Sequence, residues 1–109
     1  MHIQSPQTRF LTPHQAQRMA NHFELFSCPT RLSIISVLCQ HAQEKLNVTQ
    51  IMALCGHRQP NVSRHLGALT DAGVVRREKV GTQVFYGLAD PTIPMICEMV
   101  IEHLGQCSA

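Results

Sequence analysis

Two groups of residues in this sequence have types and spacings suited to chemistry. The first is a set of thiols. The chain carries Cys28, Cys39, Cys55, Cys97 and Cys107. Cys97 sits on an apolar stripe of helical spacing, Ile93, Ile96, Val100 and Leu104, and position 107 continues that stripe if the helix persists. His103 and Cys107 stand four apart, so they share one face of a helix. Cys97, His103 and Cys107 therefore form the preferred metal set. Thiolate and imidazole ligands of this kind suit As(III), Sb(III), Cd(II), Zn(II) or Cu(I), and at a dimer seam ligands from both subunits can meet. The plainer reading of Cys97 is a small hydrophobe in helix packing, and Cys55 reads as core. Cys28 precedes a helix-opening proline, and a helix N-terminus favours the thiolate. The histidines His2, His14, His22, His41 and His57 show no ligand spacing.

The second group is basic and polar. The net charge of the 109 residues is only +2. Residues 57–83, however, hold Arg58, Arg64, Arg76, Arg77 and Lys79 against Asp71 and Glu78, a local +3, and the remainder comes to −1. That concentration points to an acidic partner, and to nucleic acid first. With Val62, Leu66 and Leu69 turned inward on a helix over 59–72, Pro60, Arg64, Gly67 and Ala68 face outward. Gln59, Asn61 and Ser63 flank them, beside Arg58 and His65. Arg can bridge guanine, Gln or Asn can bridge adenine, and Ser can bond a phosphate. Arg76, Arg77 and Lys79 near Gly81 suit phosphate or minor-groove contact. A solvated surface face and a charge-protected strand edge are the plain alternatives.

These residues need elements to position them. Thr12-Pro13-His14-Gln15 predicts a capped helix start, with helix 1 running to about Phe26. Pro29 opens helix 2, with Leu32, Ile35 and Leu38 as its buried stripe. Residues 40–45 read as a loop. Val48–Leu54 reads as helix 3, capped by Thr49, with Ile51 and Leu54 inward and Gly56 ending it. A helix from Arg58 or Gln59 ends at Asp71-Ala72-Gly73. The hydrophobic period then drops to two, and Val74–Lys79 and Thr82–Leu88 read as a hairpin joined through Val80-Gly81, its inner side formed by Val75, Val84, Tyr86 and Leu88. A last helix follows Asp90-Pro91-Thr92 and ends near Leu104. The fold class is therefore mainly α with a β-hairpin wing, a winged helix-turn-helix whose helices 1 and 5 are free to build a dimer interface. Residues 1–11 are expected to be a flexible segment, 12–105 the DNA-binding and dimerisation domain, and 106–109 a tail.

Composition narrows the class further. At 44% hydrophobic residues the chain is neither disordered nor long enough for several domains. No apolar run approaches the ~20 residues of a membrane span, and the N-terminus does not read as a signal peptide. Five cysteines without secretory signals are expected to be reduced, in a cytoplasmic protein. No nucleophile–base pair or Gly-rich phosphate loop supports an enzyme.

Three segments, Cys28-Pro29-Thr30-Arg31-Leu32, Gln59-Pro60-Asn61-Val62-Ser63-Arg64-His65-Leu66 and Val84-Phe85-Tyr86-Gly87-Leu88, resemble the signature segments of the ArsR/SmtB family of winged-helix repressors. The resemblance covers about residues 14–105. It implies a homodimer joined by helices 1 and 5, bound to an imperfect palindromic operator in double-stranded DNA and weakened by an inducer. The family's soft-metal site on helix 3 has no cysteine here, since the matching stretch is Asn47-Val48-Thr49. Its zinc-type site on helix 5 corresponds to Asp90, Thr92, His103 and Gln106, and only two of these are ligand types. Cys28 stands where the family often has Asp or His. Some members join a helix 2 cysteine to a helix 5 cysteine in response to oxidants or reactive sulfur, which makes Cys28, Cys39 and Cys107, or Cys39 with Cys97, the redox candidates. The expected function is a repressor released by a soft metal or metalloid. A thiol redox or reactive-sulfur repressor is the alternative, and a metal buffer or interaction protein without DNA is a further one.

Overall fold

A computed structural model describes residues 10–107, with side chains through Gly105. The first nine residues of the expected flexible segment lie outside the described residues, as do Ser108 and Ala109 of the expected tail. The order of elements is α1 (Pro13–Leu25), α2 (Pro29–Gln40), α3 (Val48–Cys55), α4 (Gln59–Asp71), β1 (Val75–Val80), β2 (Gln83–Leu88) and α5 (Thr92–Cys107). This is the winged helix-turn-helix expected from the sequence.

Local chemistry explains most boundaries. Thr12 accepts from the Gln15 backbone N–H at 3.1 Å while Gln15 Oε1 accepts from the Thr12 N–H at 3.0 Å, a complete capping box before Pro13. The cap of α3 is Asn47, not Thr49. Asn47 Oδ1 accepts from the Gln50 backbone N–H and Gln50 Oε1 accepts from the Asn47 backbone N–H, both at 2.8 Å, and Thr49 already lies inside the first turn of the helix. Gly56 closes α3 in the left-handed region, at φ +78°, so the chain can turn into α4 within three residues. α4 ends in a Schellman motif: Gly73 N–H bonds Thr70 O and Val74 N–H bonds Leu69 O, both at 3.0 Å. The hairpin turn is Gly81-Thr82, one residue later than expected, with Gly81 at φ +63°. α5 continues past Leu104 to Cys107.

The core gathers around α2. Ile34, Ile35 and Leu38 meet Ile51 of α3, Val62, Leu66 and Leu69 of α4, and Ile93 of α5. The expected stripe on α2 was narrower and included Leu32, which is 46% exposed. α2 is covered by α3 and α4 on one side and α5 on another, so its buried arc widens to Ile34 and Val37. Leu32 instead borders two open grooves, a polar one shared with α3 and an apolar one shared with α5. Leu54, expected inward, is 51% exposed at the edge of the groove between α2 and α3.

β1 and β2 pair antiparallel, Val75 opposite Leu88 and Val80 opposite Gln83. Leu46 adds an isolated bridge to Tyr86, with bonds of 2.8 and 3.2 Å. The wing is thus tied at its base to the loop before α3. Replacing Leu66, which is fully buried, by Ala should cost about 2–5 kcal/mol of folding stability. Urea unfolding of wild type and variant at equal protein concentration measures the difference.

Candidate nucleic-acid interface

The turn after Gly56 projects the first two turns of α4 outward. Val62, Leu66 and Leu69 anchor its inner side, and Gln59, Pro60, Ser63, Arg64 and Gly67 are exposed on the other. Gly56, His57, Arg58, Pro60, Asn61 and Arg64 line a shallow open hollow at the start of α4. Arg58 is the residue before the helix and is exposed, with its side chain free of any capping role. Arg64 Nη2 donates to Asn61 Oδ1 at 2.6 Å, so Asn61 holds the arginine fork against the helix and keeps its direction. This pairing three residues apart follows from helix geometry and was open to a sequence reading.

His65, expected among the DNA-facing side chains, is 8% exposed. Its Nδ1 accepts from Arg31 Nε of α2 at 3.0 Å. At ~100° per residue, position 65 falls on the flank of α4 nearest α2 rather than on its outer face. Burial first, then the charges of Arg31 and Arg64 and the neighbouring His57, hold its pKa below the usual histidine value. Accepting at Nδ1 requires the neutral ring with its proton on Nε2. The Arg31 partner carries no local signal in sequence, because it lies 34 residues away.

The wing cations Arg76, Arg77 and Lys79 are all exposed. Pairing divides them between the two faces of the hairpin. Arg77 and Lys79 stand opposite Tyr86 and Val84, while Arg76 stands opposite Gly87 on the other face. The acidic member of the wing, Glu78, is bonded to Lys45, and that bond, followed by the Lys45 charge, holds its carboxyl below the ordinary range. Arg76 also acts on Glu78 through its charge, and among the described residues none of the three wing cations forms an ion pair.

The thiols occupy two regions. Cys28 lies at the N-terminus of α2, where the backbone N–H groups of Arg31 and Thr30 favour its thiolate and lower its pKa. Cys39 lies near the other end of α2, about 16 Å along the axis, which separates it from Cys28 far beyond disulfide reach. Cys39 instead meets Cys97 of α5. Both are half-buried and pack against the core. Burial, and then the neighbouring Cys97, push the Cys39 thiol up to about 12, so it stays protonated at neutral pH. Cys55 is half-buried against the same core.

Cys97 and His103 project about 120° apart around α5, and His103 is exposed. The side chain of Cys107 lies outside the described residues. Among the described residues, no three His, Cys, Asp or Glu side chains converge as a metal cluster. Asp90 is occupied at the start of α5, where its Oδ1 accepts from the Thr92 N–H at 2.9 Å and from the Thr92 hydroxyl.

A tight-turned helix pair, an outward polar helix and a basic two-stranded wing define a winged-helix DNA-binding protein. The profile described as "Bacterial regulatory protein, arsR family" matches residues 28–77. A transcriptional repressor SmtB homolog from Synechocystis is 30% identical over 95% of this chain and 76% of its own length. The arsenical resistance operon repressor of Escherichia coli is 31% identical over 78% of this chain and 70% of its own. The crystal structure of the AntR antimony-specific transcriptional repressor superposes with a TM-score of 0.79 at 26% identity, covering 97% of this chain and 99% of that one. The chain belongs to the arsR family of bacterial regulatory proteins, which are DNA-binding regulators and not enzymes. Among the described residues no helix is long and apolar enough to cross a membrane.

The depressed pKa of His65 has a definite linkage. The unfolded chain binds a proton near pH 6.5 and the folded chain only below that, so the neutral ring's contribution is complete above pH 6.5 and is lost as the pH falls through the folded value. Thermal melts across pH 5–7.5 should show wild type losing more stability on acidification than His65→Gln, and parallel curves would contradict the assignment.

Proposed function

We propose that this chain is a homodimeric, sequence-specific transcriptional repressor whose hold on its operator is released through the thiols at the α2–α5 contact. The single observation that carries the thiol part is the meeting of Cys39 and Cys97. Gln59, Asn61, Ser63 and Arg64 on α4 read base edges, and Arg58 with the wing residues Arg76, Arg77 and Lys79 bind the backbone.

The second copy is argued from α1 and α5. None of the 13 residues of α1 is buried, and an isolated helix of that length is marginal in water. Phe23 and Phe26 of the α1 region line one apolar groove together with Ile96, Val100 and Leu104 of α5. Its volume is about 440 Å³. Met95, Met99 and Ile101 extend this exposed apolar surface. A surface of this size and composition on a small domain calls for a partner. A two-fold partner also places two copies of α4 for successive major grooves, about 34 Å apart.

In the redox reading, Cys39 stays protonated and Cys97 is the sulfur that reacts first. A peroxide transfers one oxygen to the Cys97 sulfur, giving a sulfenic acid, and its other oxygen leaves as water or an alcohol. The Cys39 sulfur then attacks, a disulfide forms, and water leaves. The bond clamps α5 to the end of α2. Because α5 carries the dimer face, the spacing of the two recognition helices changes with it.

A second reading is favoured by the named relatives, an arsenical resistance repressor and an antimony-specific one. As(III) or Sb(III) binds the same thiols with release of their protons. Cys97 then acts with Cys39, or with His103 and Cys107 across the dimer seam.

Reduced wild type, Cys39→Ser and Cys97→Ser should bind the operator equally well. Peroxide should release only the wild type, with a Cys39–Cys97 crosslink visible by mass spectrometry. Release of Cys97→Ser by peroxide and by metalloid at wild-type doses would sink both readings. Cys107→Ser blocks the response to Sb(III) alone if the metalloid set extends along α5. Val100→Glu should convert the dimer to monomer in sedimentation experiments, and an unchanged mass would place the dimer elsewhere.

A further inference from the structure

Arg31 has no role in the reading given above, yet its setting is unusual. It starts α2, is half-buried, and spends its Nε–H on His65 of α4 at 3.0 Å. That leaves the four N–H donors of the two terminal nitrogens, and a guanidinium that stays charged at any physiological pH. Among the described residues no carboxylate pairs with it. Its near neighbours are themselves basic, for Arg64 and His57 lie close enough to His65 to act on its charge together with Arg31.

The order of these groups around α4 is informative. At ~100° per residue, Arg64 is on the outer face, Asn61 follows about 60° further round, and His65 about 40° beyond that. Arg31 continues the same arc across the gap to α2. Arg64 is held by Asn61 and Arg31 holds His65, so the arc is bonded at both ends. A cation beside α4 with no carboxylate partner among the described residues is suited to the sugar-phosphate backbone that flanks a major groove.

We propose that Arg31 is a DNA-backbone contact: Nε locks it to His65, and the terminal guanidinium N–H groups clasp a phosphate oxygen pair beside the groove that α4 enters. The bond to His65 fixes the fork in advance, so little side-chain freedom is lost on binding. The contact is independent of base sequence, and it would set the tilt of α4 in the groove from the α2 side. This deepens the DNA-binding reading and rests on it.

The test titrates a fluorescent DNA duplex of arbitrary sequence with the reduced full chain between about 50 and 200 mM salt. Each phosphate contact contributes about −0.9 to the slope of log K against log salt. Arg31→Gln, which keeps an N–H donor for His65 but loses the charge, should flatten the slope by about 0.9 for each Arg31 engaged. Arg31→Lys should retain the wild-type slope while binding a few-fold more weakly, because it lacks the fork. In wild-type protein the Arg31 guanidinium NMR signals should shift on adding duplex, a readout that needs no variant to fold. An Arg31→Gln slope equal to wild type, or guanidinium signals unmoved at saturation, overturns the proposal while leaving DNA binding intact. Absence of salt-dependent duplex binding by wild type overturns the DNA-binding reading and this contact with it.

Discussion

Everything in this molecule hangs on the burial of α2. Ile34, Ile35 and Leu38 are almost wholly removed from water, and every other buried element leans on them. Apolar burial of that kind is worth roughly 25 cal/mol per Å² and has no preferred direction. Direction is supplied by polar contacts at the two ends of the same helix. Arg31 at its start engages α4, and Cys39 near its finish engages α5. One rigid rod thus touches α4 at one end and the thiol pair at the other. A change at either end is not absorbed by soft material, because close-packed interiors transmit small displacements.

The interface itself is electrostatically economical. Its acids are few, and the one within the wing is engaged by Lys45. An excess of cations therefore stands on α4 and the wing even though the whole chain carries only +2. Dividing the wing cations between two faces of the hairpin broadens the strip of backbone they can reach, at the expense of local density. Holding Arg64 with Asn61 trades a free, rotamer-rich side chain for a directed one, which favours discrimination over raw attraction.

Much of this was legible in the sequence because it is local. The Thr12–Gln15 box, the Gly56 turn, the Val62, Leu66 and Leu69 stripe, and the change of period after Gly73 each depend on residues within one or two turns. The departures that bear on burial and on the site share one cause, neighbours remote in sequence. Leu32 and Leu54 have the right spacing to be core, and their exposure depends on which neighbours cover which sides of α2 and α3. His65 looked like a recognition residue because its partner, Arg31, is remote in sequence. The Cys39–Cys97 meeting is of the same kind. Periodicity places each thiol on a helix, and only the crossing of α2 and α5 brings them together.

The capping box of α1 has a consequence for how copies of the chain find each other. A helix with nothing buried would ordinarily fray from its first turn. Here Thr12 and Gln15 satisfy each other's backbone groups, and Pro13 supplies the helical φ in advance. Much of the ordering cost is thus met within one chain, before any encounter. In the proposed dimer, assembly then proceeds by docking of preformed surfaces rather than by folding on contact, and its rate is governed by collision and orientation.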